Sequence, residues 1–402
     1  MNITAIDSKD AGYRNEKRVI ELLRREGALS QSQICHKTGL RSSTISYIAR
    51  RLREKDLIVE KPGKSSKRGA KPVLIDLNPS GLFIIGAEIN ASHLLIGLFD
   101  FTSELVDCIE VALDSERSVE RVVDLLEVST MGLISKNGIP KDKLAGIGVT
   151  LSGSVSSEGH VELSSSLGWK KVPLKELLAP KFDCLVNIHT TKVRLLAEIN
   201  IQPSLLSKNI VYFNVANGVG TTVMADGQLL HGATRRFGEL GHVVIDPEGP
   251  VCGCGQKGCL EALISGPSLA RKIKRDLANG TCSVLSDLIG EQDTPETILE
   301  KLKEAIELGD TYALELRDVV AEHISRSAAT VINLFDPDIL ILAGYVSEVC
   351  MDTFINRIKE RFDGYVYDAS SRTVDIMRAH AGRQSMMRGV AAAVLHELFT
   401  TE

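Results

Sequence analysis

No apolar run in this chain approaches the roughly 20 residues needed to cross a bilayer, and the opening segment MNITAIDSKDAGYRNEKR lacks the apolar core of a secretory signal. The expectation is a cytoplasmic chain with no membrane insertion. Cysteine is sparse: eight in 402 residues cannot form a disulfide scaffold, and in a reducing compartment any tight group of them points to metal. The 33 Gly and 12 Pro are ordinary for this length, which excludes fibrous and low-complexity classes. What remains is a globular composition, 44% apolar and 25% charged, long enough for two or three domains.

The net charge of −5 conceals a polarity. Residues 1–80 hold 17 Lys and Arg against 9 Asp and Glu, a net of +8, which leaves −13 for the remainder. A basic head before an acidic body is a reason to look for nucleic-acid binding in the head, although a basic stretch also arises as a solvated face.

Val19, Leu22 and Leu23 share helical spacing in a stretch ending at Gly27, so a first helix is expected over about 12–26. Ser30 with Gln33 three positions later is a capping box that opens a short second helix, and Gly39 supplies a turn. A third helix begins at Ser42 or Ser43 and buries Ile45, Ile48, Ala49 and Leu52. Its other face carries Ser43, Thr44, Ser46, Tyr47, Arg50 and Arg51, with Arg41 and Ser42 at its start. Short hydroxyl side chains let such a helix approach base edges, and the arginines can neutralise phosphates. LIVEKPGKSSKRGAKPVLIDL then reads as two strands around a cationic loop with Lys67, Arg68 and Lys71, slim enough for a minor groove. The whole is a winged helix-turn-helix expected to bind a double-stranded DNA operator. The competing reading is a three-helix scaffold whose exposed loop binds protein or nothing.

From residue 82 the pattern changes to LFIIGAEI, HLLIGLFD and ELVDCIEVAL, three strands in a meander, followed by a helix near 117–136 and the buried strand LAGIGVTL. A second α/β half begins near Asn209 and runs through helices to a last strand in DPDILILAGYV. The boundaries expected are a DNA-binding domain over 1–78, a first α/β lobe over 79–200 completed by about 380–402, and a second lobe over 201–379. Two such halves suggest a cleft, a common place for a small ligand.

His242, Cys252, Cys254 and Cys259 fall within eighteen residues, interleaved with glycines that let the chain turn tightly. A Cys3His set fills a tetrahedral shell, so a structural zinc is expected; the alternative is reduced thiols around a core histidine. Cys35, Cys108, Cys184, Cys282 and Cys350 are scattered and carry no assigned chemistry.

GELGH followed by CGCGQKGCLE resembles the signature of the ROK family of bacterial sugar kinases and sugar-responsive repressors. The likeness extends in order through the head, GIGVTLSGSVSSEGHV, the Trp169 segment LGWKKVPL and the strand DPDILILAG. The resemblance implies an α/β fold, a winged helix-turn-helix followed by a two-lobed actin-like (ribonuclease H-like) body, with a sugar or sugar-phosphate between the lobes. It also implies that Glu239 and Glu261 accept from sugar hydroxyls, that metal-bound His242 touches the same ligand, and that Gly153 lines the pocket. Read from spacing alone, either glutamate is equally an ordinary surface carboxylate. Operator binding is expected of a symmetric homodimer or homotetramer, and some relatives take a sugar-transport protein as partner.

The chain departs from the kinase pattern in two places. Where a family kinase has Asn-Asp, the Asp being the general base, His189 and Thr190 stand, and loss of a positioned base costs roughly 10²- to 10⁴-fold in rate. Where the kinases resemble DxGGT, this chain reads Glu88, Ile89, Asn90, Ala91, Ser92, although Asn217, Gly218, Val219 and Gly220 keep part of a second Gly-rich turn. The reading is a non-enzymatic repressor of carbohydrate-utilisation genes, with His189 and Thr190 in its ligand pocket. The alternatives are an active sugar kinase with a fused head, His189 serving as substitute base, and a DNA-binding protein indifferent to ligand.

Overall fold

The computed structural model describes residues 11–63, 73–113, 117–164, 166–234 and 236–399. The chain divides into two compact units, Met1–Pro203 with Ala381–Glu402, and Ser204–His380.

The first unit opens with α1 (Ala11–Glu26), β1 (Leu29–Ser30), α2 (Gln31–Thr38) and α3 (Ser42–Glu54). The capping box forms: the Ser30 hydroxyl accepts from Gln33 N–H, and Ser30 N–H donates to Gln33 Oε1 at 2.8 Å. Gly39 ends α2 at φ 70°, a turn that a side chain disfavours. Ile45, Ile48, Ala49 and Leu52 of α3 are buried against Val19, Ile20 and Leu23 of α1. β2 (Ile58–Pro62) and β3 (Val73–Leu77) pair antiparallel, and β3 also pairs with β1, giving a three-stranded sheet behind the helices. The wing residues Lys67, Arg68 and Lys71 lie outside the described residues.

β4 (Phe83–Ile89), β5 (His93–Asp100) and β6 (Leu105–Ala112) form the expected antiparallel meander, followed by α4 (Val119–Lys136) and β7 (Leu144–Leu151). A small hairpin sheet of β8 (Ser154–Val155), β9 (Val161–Ser164) and β10 (Trp169–Val172) precedes α5 (Leu174–Leu178), β11 (Leu185–Thr190) and α6 (Arg194–Ile201). The main sheet runs β11-β7-β4-β5-β6, with β4, β7 and β11 parallel.

The second unit contains β12 (Ile210–Val215), β13 (Val219–Ala225), β14 (Gln228–Leu229), α7 (Leu260–Ile264), α8 (Gly266–Ala278), α9 (Leu285–Leu288), α10 (Pro295–Glu307), α11 (Thr311–Phe335), β15 (Ile339–Ala343), α12 (Tyr345–Val349), α13 (Met351–Tyr365) and β16 (Asp375–Arg378). Its sheet runs β14-β13-β12-β15-β16, with a meander on one side and parallel strands on the other. Both five-stranded sheets therefore follow the same order, 3-2-1-4-5 counted within each sheet. The actin-like body expected from the family resemblance is built as this duplicated pattern. The last strand is not the one expected: DPDILILAG does form β15, but β16 follows at the edge. DIMR is four residues long and too short to carry a readable alternation.

The chain returns to the first unit as α14 (Ser385–Phe399), a helix buried on nearly all sides. Glycines let it press onto the first sheet: a Cβ at Gly86 would lie 2.1 Å from Met387 O, and one at Gly148 would lie 2.6 Å from Val390 Cγ2. Its far end, with Leu395, Leu398 and Phe399, joins one apolar core with Val19, Ile20, Leu23 and Ile45 of the head and Leu82, Phe99 and Phe101 of the body. Lys143 Nζ fastens the same junction, donating to Asp56 Oδ2 at 2.8 Å and Ser80 O at 2.7 Å. The Lys143 ammonium holds the Asp56 carboxyl below its ordinary range. Head and first lobe thus share a core.

Candidate functional site

In the head, α3 turns Ser42, Ser43, Ser46, Tyr47 and Arg50 outward, with Arg41 exposed just before it and Thr44 half-buried. Arg41, at its N-cap, makes no side-chain capping hydrogen bond, and amides at such a helix start suit an acceptor such as phosphate oxygen. The guanidinium of Arg50 sits 5.5 Å from the Tyr47 ring centre, which orders two exposed groups of the same face. Arg51 is half-buried, and its Nε lies 2.9 Å from Glu16 Oε1 on α1. Two residues that the sequence reading passed over bear on this face. Gln31 Nε2 donates to Ser42 O at 2.9 Å and to the Ser42 and Ser46 hydroxyls, joining α2 to the start of α3. Glu16 is the other. The sequence signal for Gln31 was its place immediately after the capping Ser30.

In the second unit, one loop gathers the four expected metal ligands. The ligand atoms of His242, Cys252, Cys254 and Cys259 all lie within 4.8 Å of one another. Cys252 Sγ is 3.7 Å from His242 Nδ1, and Cys254 Sγ is 3.7 Å from Cys259 Sγ. A tetrahedral zinc with bonds of about 2.3 Å to sulfur requires edges of about 3.8 Å, so the spacing fits the ion. Val244 bridges Cys259 and Val251 bridges Lys257, closing the loop as two short antiparallel contacts. Gly258 at φ 67° is obligatory here, because a Cβ would fall 1.4 Å from Asp246 O. Burial pushes the Cys259 thiol up to about 12 and raises Cys252, whereas the Gln256 amide lowers exposed Cys254. A bound dication would deprotonate all three thiols. The donor set can therefore hold a metal such as zinc.

The carboxylates implied by the resemblance flank this loop. Glu261, on the first turn of α7, accepts Val219 N–H at 3.0 Å through Oε2, while Oε1 lies 3.9 Å from Cys252 Sγ. Exposed Glu239 precedes the single turn that ends at His242, and its neighbour Gly241 packs onto Val219 O. Glu239, His242 and Glu261 thus share one neighbourhood of the second unit. Gly153, His189 and Thr190 belong to the first unit. Gly153 has φ 144° and no room for a Cβ, which would lie 2.2 Å from Leu163 O. His189 and Thr190 end β11, half-buried and paired in register with Thr150 and Leu151.

Both turns compared with a phosphate cradle use amides for internal bonds. Ala91 N–H donates to the Asn90 side chain, Asn90 N–H donates to His93 O, and Ser92 Oγ lies 3.0 Å from His93 Nδ1. Val219 N–H is taken by Glu261, and Tyr345 OH donates to Asn217 Oδ1 at 2.8 Å. Burial pushes the half-buried Glu88 carboxyl up, against the pull of Arg194 and His93.

A family model described as ROK family matches residues 84–397, and one described as MarR family matches residues 14–69. The xylose repressor of Caldicellulosiruptor bescii is 26% identical over 393 residues, covering 96% of each chain. The DNA-binding transcriptional dual regulator NagC of Escherichia coli is 25% identical over 337 residues, 83% of this chain and 81% of that one. Among solved structures, a ROK family transcriptional regulator described as a homolog of the E. coli MLC protein superposes with a TM-score of 0.81 at 23% identity, covering 96% of both chains. No helix among the described residues is long and apolar enough to cross a membrane.

Proposed function

The chain belongs to the ROK family, and we propose that it is a DNA-binding transcriptional regulator, a repressor of carbohydrate-utilisation genes whose operator affinity is set by a sugar or sugar-phosphate. The observation that carries this reading is the outward face of α3, with Ser42, Ser43, Ser46, Tyr47 and Arg50 exposed on a helix whose opposite stripe is locked into the head's core. Arg41, Thr44 and the wing residues Lys67, Arg68 and Lys71 extend the proposed DNA surface, whereas Arg51, expected on it from the sequence, is turned towards Glu16. A symmetric pair of chains would place two such helices in successive major grooves.

The proposed ligand residues are Glu239, His242 and Glu261 in the second unit and Gly153, His189 and Thr190 in the first. Fixed carboxylates offer paired acceptors to a polyol, and zinc held by His242, Cys252, Cys254 and Cys259 would stiffen the loop that presents them. The internally bonded turns at Asn90 and Val219, with threonine at the position of a kinase base, support a body without phosphoryl transfer.

A route from ligand to head exists within the first unit. α14 presses on the segment after His189, where a Cβ at Gly389 would lie 1.9 Å from Val193 O, and its other end is buried in the head's core. A ligand that prefers one position of the 189–193 segment would shift α14 and thereby the populations of head arrangements. The test is a gel-shift titration on the duplex that the purified chain enriches from a random pool, with and without xylose, glucose, N-acetylglucosamine and their phosphates. A change in midpoint with one of these supports the proposal; binding to every duplex alike, or no binding, contradicts it.

A further inference from the structure

Glu16 is a carboxylate in the wrong place for an ordinary surface residue. It sits on α1 among Val19, Ile20 and Leu23, and its side chain is only 3% exposed. Burying an ionised carboxylate is costly unless cations and hydrogen bonds compensate. Here two cations converge on it, one from α3 and one from the residue that ends it: Arg51 Nε lies 2.9 Å from Oε1, and Lys55 Nζ donates to Oε2 at 3.0 Å. Arg51 also keeps its guanidinium 5.7 Å from the Tyr47 ring centre, so the inward-turned cation touches the exposed face as well.

We propose that Glu16 is a specificity-determining positioning residue for DNA binding, which fixes the setting of α3 and withholds Arg51 and Lys55 from sequence-independent phosphate contacts. The proposal rests on the DNA-binding reading above. Its physical basis is twofold. A buried charge paired with one cation of α3 and hydrogen-bonded by another at that helix's end ties α3 to α1, since sliding or rotating α3 would strand the carboxylate. Each lysine or arginine that meets a phosphate releases counterions and strengthens binding to any sequence equally, so a head with fewer free cations discriminates better. The division is visible along α3 and its two caps: Arg41 and Arg50 are exposed, while Arg51 and Lys55 are drawn back to α1.

The test compares full-length wild type, Glu16→Gln and Lys55→Met on two duplexes, the one enriched by wild type and a scrambled duplex of the same composition, across a salt series. Glu16→Gln keeps the side-chain shape and removes the charge that holds both cations. It is expected to bind scrambled DNA about tenfold more tightly at low salt, with a slope of log affinity against log salt steeper by up to about 1.8, and to lose about tenfold in preference for the enriched duplex. Lys55→Met leaves Arg51 on Glu16 and is expected to leave the slope on scrambled DNA unchanged. A fall of about 0.9 in that variant's slope would place Lys55 on phosphate and overturn the proposal, even if Glu16→Gln fails to fold. Unchanged slope and preference in a folded Glu16→Gln overturn it alone; a wild type without preference for any duplex overturns the DNA-binding reading and this inference with it.

Discussion

The rings of Phe101 and Phe399 lie with centroids 5.4 Å apart, tilted by 37°. Phe101 follows β5 and Phe399 ends α14, and both belong to the apolar core that includes Val19, Ile20 and Leu23 of the head. Replacing Phe399 by Ala should destabilise the first unit by about 3–5 kcal/mol, the usual consequence of truncating a buried aromatic. Urea unfolding measures that loss, and affinity for the enriched duplex should fall in the same variant. Full stability with full affinity would remove α14 from the link to the head.

Arg41 and Arg50 are exposed at the start and along the outer face of α3. Arg41→Ala or Arg50→Ala should weaken DNA binding and flatten its salt dependence by about 0.9 for each phosphate that is no longer neutralised. Salt slopes identical to wild type would argue against the docking of this face.

Cys254 is the exposed sulfur of the four-residue cluster and lies 3.7 Å from Cys259 Sγ. Cys254→Ser is expected to lose zinc and to loosen the 242–261 loop, read as a lowered metal-to-chain ratio and faster proteolysis of that loop. Full zinc content in the variant would reject Cys254 as a ligand.

His396, on α14, has its pKa drawn below the ordinary imidazole value by burial, with Glu21 opposing the shift and Arg24 adding to it. The unfolded chain then binds this proton more readily than the folded one. The contribution to stability is therefore full above the unfolded pKa near 6.5 and is lost as pH falls below it. The urea midpoint of wild type should drop between pH 8 and pH ~5.5, and the drop should be smaller in His396→Gln. Equal drops in both would dissociate His396 from the acid sensitivity.

Local signals are legible in the chain with little loss. Ser30, Gln33 and Gly39 announce α2, and Ile45, Ile48, Ala49 and Leu52 announce α3, because caps and a 3.6-residue stripe act over a few positions. The grouping of His242, Cys252, Cys254 and Cys259 into one cluster that could hold a metal is equally legible, since only spacing and chemistry matter. What stays hidden depends on packing between distant segments. Nothing in SMMRGVAAAVLHELF says that one end of α14 would share a core with α1, some 370 positions earlier. Glu16 reads as one more charge on an amphipathic helix until Arg51 and Lys55 are found beside it.

Purified chain, labelled enriched duplex, ATP and one sugar at a time can be combined in a single sample, with fluorescence anisotropy following the DNA and released ADP following phosphoryl transfer. Anisotropy is expected to change with a sugar or sugar-phosphate while ADP stays at background. Sugar-dependent ADP release at about 1 s⁻¹ or faster, the pace of ordinary enzymes, with anisotropy unmoved by every sugar, would contradict a regulator that has kept its ligand and lost its chemistry.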